Sequence, residues 1–221
     1  MTKGRFKNRP KTFTALEDFG RVRLSQHFYM RDFLYSEISN FFGRPNLPQD
    51  PQLCIAAGEG LCQNLLDPMV ETFGPIGVRS SYRSPELNQF GSTEVRPQKM
   101  ASNSANSGAH IWDVRTDDGR IGATACIAVP WFADQYEQGR DWRDMAAWLR
   151  EYLPFHEAYF FPKLCAFNLT WLERPAGDAP AKRVLSYIAP KGHLRGNPGD
   201  CHDFPPFRAI KYPPLPERYA A

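Results

Sequence analysis

Ser80-Ser81-Tyr82-Arg83-Ser84-Pro85-Glu86-Leu87-Asn88 is the stretch on which the fold turns. Ile76 to Ser81 reads as a short strand, and Ser84 followed by Pro85 supplies an N-cap and a first helical position for a small helical turn through Asn88. The serine oxygen satisfies an orphaned N–H of the first turn, and proline gives up an N–H that has no intrahelical partner there. Tyr82 and Arg83 therefore stand at the passage from strand to helix.

Upstream, Asp50 and Pro51 repeat the same start signal, and Leu61, Leu65, Met69 and Phe73 recur at four-residue steps toward a stop at Gly74-Pro75. A helix over 51–73 is expected, kinked near Pro68. Downstream, Phe90 to Ser107 is rich in Ser, Asn, Gly and Gln without apolar periodicity, which predicts a long exposed loop. His110 to Arg115 reads as a strand, Asp117-Asp118-Gly119 as a hairpin turn, and Ile121 to Val129 as the returning strand. Asp141 caps a helix through Leu153, and strands follow at 158–161, 164–171 and 183–188, with a loop over 174–180. The expected class is α+β: a mainly antiparallel central sheet, holding 76–81, 110–115, 121–129 and 164–171, with flanking helices near 51–73 and 141–153. Ala166, Asn168 and Thr170 fall on one face of their strand and Phe167, Leu169 and Trp171 on the other, which predicts a polar cleft face backed by a hydrophobic core.

With 221 residues and 42% hydrophobic composition, the chain can bury a core of one domain. The organisation expected is a basic N-terminal arm over 1–23, a domain over 24–189, and a Pro-rich tail over 190–221 that packs on or wraps the domain. The net charge of +3 is small, and its basic excess gathers in Lys3, Arg5, Lys7, Arg9, Lys11, Arg21 and Arg23. Such an arm reads as a solvated, partly disordered terminus; contact with nucleic acid is the weaker alternative. No apolar run reaches the roughly 20 residues of a membrane span and no signal-peptide core follows the basic residues, so a cytoplasmic protein without a membrane partner is expected. Cys54, Cys62, Cys126, Cys165 and Cys201 are odd in number and lack a CxxC pair, which points to reduced, mostly buried thiols.

The quoted stretch resembles the "SGYRSPxxN" segment of the D-alanyl-D-alanine carboxypeptidase (peptidase M15) family. Leu24-Ser25-Gln26-His27-Phe28, with Asp32-Phe33-Leu34 after it, resembles that family's opening "LSxHF…EF". The resemblance runs from about Leu24 to Ile188. It implies an M15-like hydrolase fold, peptidoglycan peptides as substrate class, and for Arg83 the task of gripping the free carboxylate of a peptide, which suits a guanidinium fork. Tyr82, Asn88 and Thr170 join it as candidate substrate-binding residues.

The resemblance also implies a zinc segment, "SxHxxGxAxD", which here is Ser104-Ala105-Asn106-Ser107-Gly108-Ala109-His110-Ile111-Trp112-Asp113. Asp113 fits as a metal ligand, but Asn106 stands at the histidine, and Asn168 replaces the late strand histidine. An amide oxygen is a far weaker zinc donor than an imidazole nitrogen, so ordinary zinc affinity should be lost. His110 is three residues from Asp113, and on a strand the two would face opposite ways, so it is not expected to replace the missing ligand. His27, His156, His193 and His202 are scattered. No cofactor is expected, with zinc entering only if the site is reorganised. Arg83, Asn106, Asp113 and Asn168 are expected to line one cleft. The leading expectation is a catalytically degenerate scaffold, a pseudoenzyme that binds a peptide or protein partner. The alternative is an active D,D-carboxypeptidase or endopeptidase with an atypical metal site.

Overall fold

The sheet is built from strands that alternate sharply between an apolar and a polar face. A computed structural model describes residues 6, 8–94, 106–188, 193–195 and 218. Its strands are β1 (Gly77–Ser80), β2 (Gly122–Ala128), β3 (Glu157–Phe161), β4 (Ala166–Leu172), β5 (Arg183–Ile188) and β6 (His193–Arg195). They lie in the order β1-β2-β4-β3-β5-β6. All neighbouring pairs are antiparallel except β3 with β5, which run parallel, so the sheet is mixed and mainly antiparallel. The α+β class follows.

One face of this sheet presents Ala123, Ala125 and Ile127 of β2, Ala158 and Phe160 of β3, Phe167 and Leu169 of β4, and Val184 of β5, all buried. The helices α3 (Pro51–Leu61), α4 (Asp67–Phe73) and α7 (Trp142–Tyr152) cover it. Trp148 of α7 meets Phe73 at 4.6 Å, and Trp142 meets Phe160 at 5.1 Å between ring centroids. Between α3 and α4 the helix does not break. Pro68 has no N–H for the carbonyl one turn back, and the chain widens into a π turn over Cys62–Leu66 in which Asp67 donates to the carbonyl of Cys62. The caps read from sequence are in place: the side chains of Asp50, Ser84 and Asp141 accept from the first-turn N–H groups of α3, α5 (Pro85–Thr93) and α7.

Four local expectations are corrected. Residues 110–115 form no strand: Asn106 O accepts from the N–H groups of Ala109 and Ile111 at 3.1 Å each, and Gly108 N donates to Ile111 O at 3.0 Å. The backbone groups there are spent on a tight turn, with Gly108 at φ +72°, and β2 pairs with β1 and β4 instead. The turn at 117–119 does form, with Gly119 N donating to Thr116 O at 2.8 Å. Phe90 to Thr93 continue α5 rather than opening a loop; residues 95–105 lie outside the described residues. Leu164 ends a short 3-10 turn and Cys165 takes a left-handed conformation, so β4 begins at Ala166. In the basic N-terminal region, Phe13–Gly20 form α1, and Phe6, Phe19 and Val22 are buried in the core, so this part is not a solvated arm. Phe19 packs edge-on against Phe6 at 5.7 Å.

Besides α1, two further helices went unread in the sequence, α2 (Glu37–Phe42) and α6 (Pro130–Glu137). Of the Pro-rich tail, β6 pairs antiparallel with β5, and most of the remainder lies outside the described residues. Cys54, Cys62 and Cys126 are buried, and the four described cysteines are free thiols; Cys201 lies outside the described residues. Among the described residues, no helix is long and apolar enough to cross a membrane.

Candidate functional site

The opposite face of the sheet carries Thr124 and Cys126 of β2, Asn168 and Thr170 of β4, Glu157, Tyr159 and Phe161 of β3, and Arg183 and Leu185 of β5. This face floors a cleft of about 1020 Å³. The alternation expected for β4 is thus realised, with Asn168 and Thr170 toward the cleft and Phe167 and Leu169 in the core. Its walls come from Tyr35–Ile38 at the start of α2, from Ser80 at the end of β1 with Ser81–Arg83 after it, and from Asn106, Ala109 and His110 in the tight turn.

The segment that presents Arg83 is fixed on both sides. Ser81 Oγ donates to Thr124 O at 3.0 Å, and Tyr82 N donates to Phe33 O at 3.2 Å. Arg83 N donates to His110 O at 2.8 Å. Asn46, itself buried, binds this segment twice and ties it to Leu34: its Nδ2 donates to Tyr82 O at 2.9 Å and to Leu34 O at 3.0 Å, and its Oδ1 accepts from Ser84 N at 2.8 Å. A strand-to-helix passage leaves backbone groups without ladder or helix partners, and these bonds satisfy them. Burial lowers the pKa of the Arg83 guanidinium, and the nearby Glu37 carboxylate opposes that shift. The group stays cationic, since even a depressed arginine titrates far above neutral pH.

His110 lines the same wall. Its Nδ1 lies 2.7 Å from Ser81 O, and burial, followed by the charge of Arg83, pushes the imidazole down to about 3. Arg79 donates from Nη1 to Cys126 Sγ at 3.7 Å, and Arg183 Nε donates to Glu157 Oε2 at 2.7 Å. Thr124 and Thr170 bond to each other at 2.8 Å across β2 and β4. The lining therefore combines three arginines with two glutamates and neutral amide and hydroxyl groups.

Of the residues named from sequence, Arg83, Asn106, Asn168 and Thr170 meet in this cleft. Asp113 does not. Its Oδ2 accepts from Gln49 N at 2.7 Å, and burial raises its carboxyl above the usual range. Tyr82 borders the cleft, but its side chain is fully buried against Trp112, with the hydroxyl toward Asp113. Asn88 is fully buried in α5 and does not line the cleft. His110, set aside in the sequence because a strand would have turned it from Asp113, does face away from that carboxylate, and in doing so enters the cleft. Asn46, Glu37, Arg79, Glu157 and Arg183 were not singled out; Asn46 carried no signal beyond a turn-rich surrounding.

The Tyr82 hydroxyl faces the Asp113 carboxylate, and this contact lowers the Asp113 carboxyl against the larger effect of burial. Removing the hydroxyl leaves a buried carboxylate without that contact. Tyr82→Phe is therefore expected to cost about 1 to 3 kcal/mol of stability in urea titrations; unchanged stability would mean that the hydroxyl makes no bond to Asp113.

The residues present do not fit a zinc centre. Asn106 and Asn168 offer amide oxygens, Asp113 points elsewhere, and among the described residues no group of three or more His, Cys, Asp or Glu is placed to hold a metal ion. Compared with protein-family models, with curated proteins and with solved structures, the chain matches none.

Proposed function

We propose that this chain is an M15-peptidase-like scaffold that has lost the zinc chemistry and uses its cleft to bind a peptide or protein segment ending in a free carboxylate. The observation that carries the reading is Arg83: a half-buried guanidinium, locked in place through its own backbone, beside neutral amides at the positions where the resemblance puts zinc ligands. A preorganised fork loses little entropy on gripping two carboxylate oxygens, and a partly desolvated site strengthens the attraction. The apolar rings and chains of Tyr159, Phe161, Leu164 and Leu185 give the neighbouring residue of a ligand a surface to cover.

The test is a chemical-shift titration with N-acetyl-alanyl-alanine, in the D,D and L,L forms, against the same dipeptides carrying a C-terminal amide. Free acids are expected to bind and the amides to bind weakly. Arg83→Ala should weaken the free acid by roughly 10- to 150-fold, the range of a charge-assisted pair, with little effect on the amides. Equal binding of acid and amide would overturn the reading. Hydrolysis of these peptides that a chelator abolishes and Zn²⁺ restores would favour the active-hydrolase alternative instead.

A further inference from the structure

The cleft wall holds a second polar group whose hydrogen-bonding sense is already decided. His110 Nδ1 sits 2.7 Å from the carbonyl oxygen of Ser81. A carbonyl only accepts, so Nδ1 carries the proton and Nε2 keeps its lone pair. The residue is only 8% exposed and lines the cleft, and among the described residues Nε2 has no hydrogen-bond partner. Thr124 and Thr170 share one hydrogen bond between their hydroxyls. His110 is joined to Arg83 by the backbone bond from Arg83 N to His110 O, at 2.8 Å, so the two side chains leave from adjoining points of one wall.

We propose that His110 Nε2 is the specificity-determining acceptor of this cleft: it receives the amide N–H next to the carboxylate that Arg83 grips. The ligand class is then an N-acylated α-amino acid, the terminal residue of a peptide chain, in preference to a simple carboxylic acid or an ester-linked hydroxy acid. The inference rests on the carboxylate role given to Arg83. An imidazole with one nitrogen donating inward and the other bare is a one-way reader, since it accepts a donor and meets an acceptor with lone-pair repulsion. A buried acceptor left unmatched loses its water without a replacement bond, which is how such sites reject isosteres. Its low pKa keeps the ring neutral, and hence an acceptor, throughout the physiological range.

The experiment pairs two probes that differ in one atom: N-acetyl-alanyl-alanine and N-acetyl-alanyl-lactate, in which an ester oxygen replaces the last N–H. In the wild-type chain the ester is expected to bind about 10-fold more weakly, the discrimination of one unmatched hydrogen bond. In His110→Leu the two probes should bind alike, and His110→Gln, which retains an acceptor, should keep part of the preference. Binding of the amide probe should also move the ¹⁵N resonance of His110 Nε2 away from that of a bare imidazole nitrogen. This readout stands even if His110→Leu fails to fold.

Equal wild-type affinity for the two probes would overturn the proposal, as would a preference that persists in His110→Leu or an unmoved Nε2 resonance at saturation. Failure of the Arg83 reading looks different. There the free acid and its C-terminal amide bind alike, or no probe binds, and the present inference falls with it.

Discussion

Gly122→Ala is expected to cost about 3 kcal/mol of stability, at the upper end of what an added methyl does in a packed interior. A Cβ at this position would meet Gly108 O at 2.4 Å, Leu172 Cδ1 at 2.9 Å and Trp171 O at 3.0 Å. Two of these are backbone atoms that cannot rotate away, so either β2 and β4 must part or the turn over residues 106–111 must lift. That turn is held to β2 by Thr124 N donating to Ala109 O at 2.9 Å, and it carries Asn106 and His110 into the cleft. The variant should therefore lose binding together with stability. The measurement is the urea midpoint with its slope, alongside amide shifts of residues 106–111. Gly119→Ala is the control: at φ +84° with nothing within 4 Å of the new carbon, it meets only backbone strain, about 1 kcal/mol. A Gly122→Ala loss no larger than that control would mean the turn does not pack on the strand.

The second large effect is a dependence of stability on acid. In the folded chain His110 takes up a proton only near pH 3, whereas in the unfolded chain it does so near its usual value of 6.5. Between these values the unfolded chain holds the extra proton, so stability rises with pH, by about 1.4 kcal/mol per unit and roughly 5 kcal/mol in all. Above pH 6.5 this contribution is complete and flat; it is lost progressively as pH falls from 6.5 toward 3. Burial lowers His156 as well, which adds in the same direction, while burial raises the carboxyls of Asp113 and Asp144, which works in the opposite one. The comparison that isolates His110 is therefore wild type against His110→Gln, whose amide can still donate to Ser81 O. Unfolding free energies from pH 4 to pH 8 should converge with those of the variant as the medium is acidified. Parallel curves would mean that the imidazole is protonated within the fold.

Both effects arise at the junction of the tight turn with β2 and the Arg83 segment, and the same junction sets the cleft wall. Overpacking at Gly122 acts through the backbone of Gly108, and protonation of His110 would bring a buried cation against Arg83. Stability and the shape of the cleft wall are coupled there by shared atoms.

What the sequence determined by itself is local in character. Asp50-Pro51, Ser84-Pro85 and Asp141 mark helix starts because a cap is made within four residues, and each is found in place. The two faces of β4 were legible because a strand turns alternate side chains to opposite sides whatever its neighbours are. The approach of Arg83, Asn106 and Asn168 to one cleft followed the order expected from sequence as well. The direction of Asp113 did not. His110-Ile111-Trp112-Asp113 carries β-favouring residues, but its backbone groups bond within a turn and to Arg83 rather than along a ladder. Without the strand, alternation no longer tells where Asp113 points, and the backbone N–H of Gln49 claims its carboxylate. The burial of α1 was likewise hidden, because Phe19 and Val22 sit among charged residues and only the space left beside Phe6 and the core gives them a place. Patterns of period two and four specify faces and caps; which distant backbone group satisfies a given N–H is a contest that only the assembled fold decides.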